Sequence, residues 1–363
     1  MLEYFKGRSV LVTGHTGFKG SWLTFWLNRL GAKVTGLGLD PKTADDSYFY
    51  LDIPSICDDL RVDVRNYDSL LAVIKKCKPE IIFHLAAQPL VLESYKNPLF
   101  TYETNVIGIA NLLEAIRNTS SVKQAVIITT DKVYENKEFI WGYRENDPLG
   151  GYEPYGTSKA AAEMVVSGYR HSFFNPEKYQ EHHVSVATAR AGNVIGGGDW
   201  AENRILPDCI RSLIAGKTIE VRNPTAIRPW QMVLEALGGY LLLAEKMSKE
   251  PGKYCEAWNF GPGLAGVQNV GELVNKVVEC WGEGNWVTPN IQNPKYESGL
   301  LALDISKSTL KLGWKPVLSF QEAVELTVDW YKAQSAGMNM VSFTHTQMDV
   351  FGQKIDPQVV KEK

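Results

Sequence analysis

The sequence lacks long hydrophobic runs, an excess of basic residues and paired cysteines. No apolar stretch reaches the ~20 residues of a membrane-spanning helix, and the first residues form no signal-peptide core, which predicts a cytoplasmic protein without a membrane partner. The net charge of −3 and the lack of a basic cluster argue against nucleic acid as a partner. The five cysteines are scattered without a Cys-x-x-Cys pair, and the six histidines show no ligand spacing. We therefore predict free thiols in a reducing compartment and no metal site.

A strand, a glycine-rich turn and a helix open the chain. Residues 9–12 form an apolar strand, and residues 21–27 have helical periodicity. The turn between them contains Gly14, Gly17 and Gly20. This spacing allows a tight turn, close approach of a pyrophosphate to backbone N–H groups, and near packing of the helix on the sheet. It predicts a dinucleotide site, and a glycine turn without a ligand is the alternative.

The next predicted strand, residues 33–39, leads to Asp40. A carboxylate at this point can accept hydrogen bonds from the adenosine ribose and would repel a 2′-phosphate. The sequence therefore predicts NAD rather than NADP as the cofactor. Lys42 is close by and works against that preference.

Strands and helices go on alternating as far as residue 190. Further apolar strands are predicted at residues 61–64, 80–85, 124–128 and 184–190. Asp63, at the end of the third strand, could accept a hydrogen bond from the adenine amino group. The small residues Ala86 and Ala87 follow the fourth strand. Asn105, in a predicted helix over 101–118, is expected to hydrogen-bond to the backbone. The alternation predicts an α/β fold with a doubly wound parallel sheet, the Rossmann arrangement.

Two domains are predicted from the change of pattern after residue 190. Residues 1–190 plus about 231–262 would form the NAD-binding Rossmann domain. Mixed helices and short strands over about 191–230 plus 263–342 predict a smaller C-terminal α/β domain that binds the substrate. Residues 343–363 turn polar and are predicted to be a tail.

The chemistry is predicted at the end of the strand 124–128. Thr130, Asp131 and Lys132 follow it, at the edge where open α/β sheets bind ligands. Tyr155 and Lys159 are four apart in a predicted helix, so they share one face. A neighbouring ammonium favours the phenolate, which would make Tyr155 a base. The same spacing also occurs on solvated helix faces.

Together these motifs resemble the extended short-chain dehydrogenase/reductase family in order and spacing over nearly the whole chain. The resemblance implies cofactor binding by Gly14, Thr16, Gly17, Phe18, Gly20, Asp40, Asp63, Val64, Leu85, Ala86, Ala87, Asn105, Tyr155 and Lys159. It also implies a homodimer or a dimer of dimers, paired through the helices that follow Asn97 and Tyr155. The apolar stripes on those helices are Val106/Ile109/Ala110/Leu113 and Ala161/Met164/Val165.

Within that family, Thr130-Asp131-Lys132 is similar to the 4,6-dehydratases that act on CDP-glucose, whereas those that act on dTDP-glucose typically carry Thr-Asp-Glu. Residues 13–20, 190–200 and 228–231 resemble the same group. Met232 departs from it, because a histidine is expected after Arg-Pro-Trp-Gln. The substrate ligands proposed with this resemblance are Gln88, Asn193, Arg204 and Arg228.

The resemblance implies dehydration of CDP-glucose to its 4-keto-6-deoxy product, in deoxysugar (O-antigen or lipopolysaccharide) biosynthesis, with NAD regenerated in each turnover. Tyr155 would take the C4 hydroxyl proton, and Thr130 would align that oxygen. Lys132 would remove the C5 proton, or else act through water or by stabilising the enolate, and protonated Asp131 would donate to the departing C6 hydroxyl. The alternatives are a nucleotide-sugar 4-epimerase and a catalytically inactive NAD-binding regulatory protein. Asp131-Lys132 argues against the epimerase, and intact Tyr155 and Lys159 argue against the inactive protein.

Overall fold

A computed structural model describes residues 3–263, 266–290 and 299–355. Its strands are β1 Ser9–Thr13, β2 Lys33–Gly38, β3 Asp58–Arg61, β4 Ile81–His84, β5 Gln124–Ile128, β6 Ser185–Ala191, β7 Val194–Ile195, β8 Ile219–Glu220, β9 Ile227–Pro229, β10 Gln231–Met232, β11 Ala257–Phe260, β12 Val267–Asn269 and β13 Trp286–Val287. Its α-helices are α1 Phe18–Arg29, α2 Ser47–Tyr50, α3 Ile53–Ile56, α4 Tyr67–Cys77, α5 Val91–Lys96, α6 Pro98–Tyr102, α7 Gly108–Arg117, α8 Pro154–Ser172, α9 Tyr179–His182, α10 Ile205–Ile214, α11 Val233–Lys249, α12 Val270–Trp281, α13 Phe320–Ser335 and α14 Met340–Ile355. Within these ranges, none of the helices is both long enough and apolar enough to cross a bilayer.

Seven strands form one parallel sheet in the order β3-β2-β1-β4-β5-β6-β11. The chain winds outward in both directions from β1, which confirms the predicted doubly wound sheet. Thr13, at the carboxyl end of β1, pairs with Leu37 on one side and with His84 on the other. This end of β1 therefore lies where the strand order reverses, which is the place where such sheets bind ligands.

Both faces of the sheet are buried under helices. Val10 and Val12 of β1 belong to one apolar core, and Leu11 between them belongs to the other. Helices α1 and α11 contribute to the first core, and α4, α7 and α8 to the second. Because side chains on each face meet apolar partners, these strands appear in the sequence as continuous hydrophobic runs.

The chain leaves the sheet after β6 and returns to it once as β11. Ala257 of β11 lies opposite Thr188 of β6, so the chain rejoins the sheet as its last strand on that side. Short strand pairs form outside the sheet, with β10 parallel to β7, β13 parallel to β8, and β12 antiparallel to β9. Residues of β7, β8 and β9 and of helices α10 and α12 line a cleft that also contains the ends of the sheet strands. The division into two domains at the stated boundaries stays a prediction.

The predicted tail is wrong for residues 343–355, which belong to α14. Phe351 is 1% exposed and meets Trp26 of α1 edge to face, with 5.9 Å between the ring centroids. Arg29 pairs with Asp349, and Gln347 donates a 2.6 Å hydrogen bond to the Leu326 carbonyl. The polar composition of this segment concealed a narrow apolar stripe at residues 340, 348 and 351. The rest of the predicted tail, residues 356–363, lies outside the described residues.

The third strand also differs from the prediction. It spans Asp58–Arg61 rather than residues 61–64, so Asp63 lies beyond its end. β3 is an edge strand, and its Asp59 is held by a side-chain contact with His15. This strand is thus defined by its pairing with β2 and by polar contacts. Hydrophobic periodicity in the sequence predicts neither of these two features.

The predicted helix over 101–118 is not one continuous α-helix. Between α6 and α7 the residues Glu103–Ile107 form a π turn, in which the N–H of Gly108 donates to the carbonyl of Glu103. A π turn contains one residue more than an α-helical turn, and such turns are frequent at functional sites. Asn105 lies in the middle of it.

Candidate active site

The turn between β1 and α1 has the shape that its three glycines predict. Gly14 has a φ of +74°, and a Cβ there would lie 2.6 Å from the backbone nitrogen of Ala86. A Cβ on Gly20 would lie 2.0 Å from the Gly14 carbonyl oxygen, so helix and turn are in direct contact. A Cβ on Gly17 would have the Gly14 carbonyl oxygen as its nearest neighbour, at 3.5 Å, so a ligand has room to approach the backbone there. The turn therefore fits a pyrophosphate at the N-terminus of α1.

The exit from β4 lies beside this turn. The backbone N–H of Ala86 donates to the Thr13 hydroxyl at 3.3 Å, which ties the carboxyl ends of β1 and β4 together. Several predicted cofactor ligands belong to the turn or to this exit: Thr16, Phe18, Leu85, Ala86 and Ala87. The strand order places them where the dinucleotide is expected, and their individual contacts stay predictions.

Asp40 lies beyond the carboxyl end of β2, where the adenosine ribose is predicted. Its side chain is 87% exposed, and Nε of Arg61 donates to its Oδ1 at 2.9 Å. The carboxylate is therefore accessible to a ribose hydroxyl. The adjacent guanidinium reduces, without cancelling, the repulsion that this carboxylate would exert on a 2′-phosphate.

A polar cluster that the sequence did not indicate lies next to Asp40. The Asp59 carboxylate pairs with the Nε2 of His15 at 2.5 Å and accepts hydrogen bonds from Tyr48 and Arg61. Burial lowers the pKa of His15, against the opposing effect of Asp59. These residues come from separate segments of the chain, so no sequence motif joins them.

Asp63 and Val64 follow β3. The Nη2 of Arg65 donates to Asp63 at 2.6 Å, and this hydrogen bonding holds the pKa of the Asp63 carboxyl below its usual range. The Val64 side chain is buried against Gly108 at the start of α7. Val64 can therefore contact a cofactor through its backbone but not through its side chain. The predicted role of Asp63 is not tested by this arrangement.

Gln88 and Asn105 are hydrogen-bonded to each other. The Asn105 amide accepts from the Gln88 N–H at 2.9 Å and donates to the Gln88 carbonyl at 3.0 Å, which confirms the predicted backbone contact. Its remaining donor reaches the Ser158 hydroxyl of α8 at 2.9 Å. Asn105 is fully buried and bonded to its neighbours, which supports a positioning role, and its direct contact with the cofactor stays a prediction. The Gln88 amide bonds to Leu90 and Thr101, so a substrate contact would require it to break one of these bonds.

The strand β5 leads into a short 3₁₀ turn, Asp131–Val133, which Thr130 precedes. The Thr130 hydroxyl donates to Oδ1 of Asp131 at 2.9 Å. The other carboxyl oxygen, Oδ2, is buried and has no hydrogen-bond partner among the described residues. Burial raises the pKa of Asp131, against the opposing effects of Lys132, Thr130 and Arg228. Burial therefore shifts this carboxyl group toward its protonated form, which is the direction that an acid requires.

Tyr155 and Lys159 lie on the buried face of α8, as their spacing predicted. Tyr155 is 8% exposed and Lys159 is 4% exposed. The Lys159 ammonium donates to the Ile128 carbonyl at the end of β5, at 3.2 Å. Burial raises the pKa of Tyr155 to about 12, opposed by the Thr130 hydroxyl, and burial lowers the pKa of Lys159 to about 8, opposed by Glu163. Both side chains thus face the strand end that carries Thr130.

A buried ion pair fixes α8 against the sheet one turn beyond Lys159. The Glu163 carboxylate accepts from Nε of Arg190 at 2.9 Å and from the Thr129 hydroxyl at 2.6 Å. Arg190 belongs to β6, and Thr129 directly follows β5. These contacts join α8 to two strands and set the position of the helix that carries Tyr155.

A cleft of about 390 Å³ opens above this sheet edge. One side carries four of the five predicted catalytic side chains: Thr130, Asp131, Lys132 and Tyr155. The other side carries three of the four predicted substrate ligands: Asn193, Arg204 and Arg228. The Arg204 guanidinium pairs with Asp199 at 2.8 Å, and Arg228 donates to the Ile227 carbonyl at 2.8 Å. Gln88 is outside the described lining of the cleft.

Met232, where the resemblance led us to expect a histidine, points into the core. It is fully buried, and its sulfur accepts from the N–H of Leu234 at 3.1 Å. Its side chain therefore packs with the apolar core and does not line the cleft. The departure at this position changes packing behind the site.

Sequence reasoning missed Lys19, whose side chain is part of the cleft wall. It occupies the first turn of α1, next to a run of buried residues. Burial lowers its pKa to about 7, and the charges of Lys159 and Arg204 act in the same direction. A lysine within an otherwise buried helix start is the signal that could have identified it.

Comparison with known proteins supports the same type of site. The family model for GDP-mannose 4,6 dehydratase matches residues 11–327. The chain is 45% identical over 340 residues to the CDP-glucose 4,6-dehydratase of Salmonella typhimurium, an alignment that covers 93% of this chain and 94% of that protein.

Two solved structures share the fold. The dTDP-glucose 4,6-dehydratase of Streptomyces venezuelae, solved with NAD, has a TM-score of 0.75 at 23% identity, covering 91% of this chain and 98% of that one. The UDP-glucose 4-epimerase of Thermus thermophilus, also in complex with NAD, has a TM-score of 0.75 at 26% identity, covering 89% and 99%. Since a dehydratase and an epimerase share this fold, the side chains in the cleft must decide between the two reactions.

Proposed function

The chain belongs to the GDP-mannose 4,6-dehydratase family of extended short-chain dehydrogenases/reductases, and on this basis we propose that it dehydrates CDP-glucose to CDP-4-keto-6-deoxyglucose. The substrate is supported by the Salmonella typhimurium relative, with which nearly the full length is shared. The product belongs to deoxysugar biosynthesis, and its use in O-antigen assembly stays a prediction. The five free thiols support a reducing, cytoplasmic location.

The described residues fit NAD. Gly17 leaves open space at the N-terminus of α1 for the pyrophosphate, and Asp40 offers an accessible carboxylate to the ribose. Lys159 lies behind Tyr155 with its ammonium toward the end of β5, where the nicotinamide half would be held. NAD supplies a hydride acceptor at C4 of the sugar and a hydride donor at C6 within one turnover.

Tyr155 and Thr130 act at C4. The Tyr155 oxygen takes the proton of the C4 hydroxyl, and the Thr130 hydroxyl binds and aligns the same oxygen. Burial keeps the phenol protonated, so the phenolate depends on nearby positive charge. The Arg204 guanidinium lowers the pKa of Tyr155, and we propose that Lys159 and the oxidised nicotinamide ring add to this effect. This requirement restricts proton removal to the complex in which cofactor and substrate are both bound.

Lys132 and Asp131 act at C5 and C6. Once C4 is a ketone, the C5 proton is acidic, and Lys132 removes it, acts through a water molecule or stabilises the enolate. The Asp131 carboxyl donates its proton to the C6 hydroxyl, which leaves as water. Lys132, Asp131 and Tyr155 all line the cleft, which supports a single bound sugar that meets all three.

The buried Asp131 carboxyl group is the observation that carries the dehydratase assignment. A 4-epimerase uses the oxidation at C4 but has no need for an acid at C6. Here the carboxyl group is 3% exposed, bonded to Thr130 through one oxygen, and without a described partner on the other. A carboxyl group that burial shifts toward its protonated form, with one oxygen free of described partners, suits a departing hydroxyl group.

Incubation with CDP-glucose and NAD, followed by mass spectrometry of the nucleotide sugar, tests this function. Loss of one water is expected. An unchanged mass with inversion at C4 would identify an epimerase, and an unchanged sugar would indicate a protein without activity. Parallel reactions with dTDP-glucose and UDP-glucose test the base, and CDP-glucose should have the highest kcat/KM of the three. Comparable values would overturn the base selectivity but not the reaction.

We also propose that two subunits pair through α6, the π turn and α8. These segments pack together and expose three large apolar side chains: Leu99 at 76%, Ile107 at 51% and Met164 at 67%. Two residues of the predicted stripes, Ile109 and Leu113, are fully buried in the sheet core and cannot contact a partner. The exposed patch supports a symmetric helical interface in which each subunit covers the same side chains of the other.

A further inference from the structure

Lys19 is a cation in the cleft to which the reaction outlined above gives no task. Its ammonium lies 5.8 Å from the centre of the Tyr240 ring. Within residues 3–263, 266–290 and 299–355 it has neither a hydrogen bond nor an ion pair. The charged groups that act on it are Lys159, Arg204, Asp131 and Asp199.

The other cations around it are better compensated. Arg204 pairs with Asp199 at 2.8 Å, and Lys159 donates to the Ile128 carbonyl. Lys19 instead faces two like charges in a recess where water screens them poorly, which costs free energy in the protein without ligand. Its lowered pKa, to about 7, reflects burial first and then these like charges. An anion placed among the cations would remove this cost.

The position of Lys19 indicates which kind of anion. It comes two residues after Gly17, where the open turn admits a pyrophosphate, and it lines the cleft together with Arg204, whose charge acts on it. We propose that Lys19 binds the diphosphate bridge of a nucleotide in this cleft. This inference rests on the proposed function, in which two ligands carry such a bridge, the nucleotide-sugar substrate and NAD. In either ligand the diphosphate oxygens can accept charge-assisted hydrogen bonds from the ammonium group.

Binding measurements on charge variants test the proposal. The variants are Lys19→Met, Lys19→Arg and the control Lys33→Met, which removes an exposed lysine at the start of β2. Each is titrated separately with CDP and with NAD by calorimetry, at 50 mM and 200 mM salt. Lys19→Met should weaken one of the two ligands by about 10- to 100-fold, the usual effect of losing a hydrogen bond to a charged group. Lys19→Arg should stay within about threefold of the unaltered protein, and Lys33→Met should bind both ligands normally.

The two titrations identify the source of the diphosphate. Loss of CDP affinity assigns Lys19 to the substrate, and loss of NAD affinity assigns it to the cofactor. The weakened ligand should also lose part of its salt dependence in Lys19→Met, which a change of shape alone would not cause. Unchanged affinity for both ligands overturns the proposal. An equal loss in Lys19→Arg together with a lower melting temperature overturns it too, because shape and not charge would then be responsible.

These outcomes are separate from those that test the proposed function. If the unaltered protein binds CDP and NAD but does not dehydrate CDP-glucose, the function fails while the role of Lys19 is still measured. If dehydration occurs and Lys19→Met binds both ligands normally, the function stands and the inference about Lys19 fails.

Discussion

The hydroxyl of Thr130 and the carboxyl group of Asp131 are joined by a 2.9 Å hydrogen bond in which Thr130 donates. This bond occupies Oδ1 of Asp131 and leaves Oδ2 buried toward Gly192, where an added Cβ would come within 2.8 Å of it. Neighbouring residues of one strand end thus have separate tasks. Thr130 is next to the phenol of Tyr155, and burial shifts the Asp131 carboxyl group toward its protonated form.

Asp131→Asn should stop the elimination without stopping oxidation at C4. Asparagine keeps the size of the side chain and can still accept from Thr130, but it has no acidic proton for the C6 hydroxyl. We expect dehydration to slow by about 10²- to 10⁴-fold, the usual contribution of a positioned acid. Product mass gives the overall rate, and transient absorbance of the reduced nicotinamide reports the first step. A variant with normal turnover would show that another group protonates the leaving oxygen.

Lys132→Ala should also separate oxidation at C4 from the elimination, because it removes the group proposed to act on the C5 proton. The variant should fold, bind CDP-glucose and still oxidise C4, while overall dehydration falls by about 10²- to 10⁴-fold. Exchange of the C5 hydrogen with D₂O should fall sharply. Lys137→Ala is a matched control, because Lys137 lies in the same segment and pairs with Glu135 at the surface. If oxidation at C4 disappears as well, Lys132 serves the first step or positions the substrate.

NAD should bind at least tenfold more tightly than NADP, and Asp40→Asn should narrow that difference. The accessible Asp40 carboxylate repels a 2′-phosphate, and its removal leaves the Arg61 guanidinium to attract one. Titration calorimetry with both cofactors measures the ratio. Asp63→Asn is the control, since its predicted contact is with adenine and not with the ribose. Equal affinities in the unaltered protein would contradict the role of Asp40.

Met164→Glu should produce a monomer if the apolar patch on α8 is a subunit interface. A carboxylate brought against its own symmetry mate would be desolvated and repelled. Light scattering at micromolar concentration should give a dimer or larger for the unaltered protein and a single-chain mass for the variant. Leu310→Glu, at a site that is 83% exposed in a different segment, should leave the mass unchanged. A monomeric unaltered protein would rule out the proposed pairing.

Glu235→Gln should remove a pH-dependent loss of stability. Burial raises the pKa of Glu235 to about 7 from its ordinary 4.5, although its carboxylate accepts from the N–H groups of Val317 and Leu318. Between these two pH values the folded protein retains a proton that the unfolded chain releases, so stability falls as the pH rises. Glutamine accepts the same two hydrogen bonds without becoming charged.

The stability difference between Glu235→Gln and the unaltered protein should therefore grow by roughly 2–3 kcal/mol from pH 5 to pH 8. Urea unfolding at several pH values measures this difference. Glu283→Gln, at an exposed position, should show no such growth. A constant difference for Glu235→Gln would mean that the carboxyl group titrates alike in the folded and unfolded chains.

The sequence predicts the sheet well because its strands are buried on both faces. β5 begins and ends at the predicted residues, since an uninterrupted apolar run can only be satisfied between two helical layers. β3 was misplaced because an edge strand is defined by its neighbour and by the polar contacts of Asp59. Helix α14 was missed because Met348 and Phe351 are spread thinly among polar residues.

The shared position of Tyr155 and Lys159 was predictable, and their surroundings were not. Tyr155 and Lys159 lie on one helix, so their spacing alone predicts that they share a face. The hydrogen bonds between Gln88 and Asn105, by contrast, join residues that are 17 positions apart. They depend on the π turn around Asn105, whose geometry no local sequence pattern predicts. The environment of Lys19 includes the charge of Arg204, and the two residues line one cleft only when the chain has folded.

The π turn at Glu103–Ile107 makes the length of this segment as important as its chemistry. One residue more or less would rotate everything on one side of it by about 100° relative to the other. Asn105 would then turn away from Gln88, although no side chain had been altered. The segment should therefore accept many single substitutions in the course of evolution but not an insertion or a deletion. An alignment gap at this place would indicate that the sheet edge near Gln88 has a different structure.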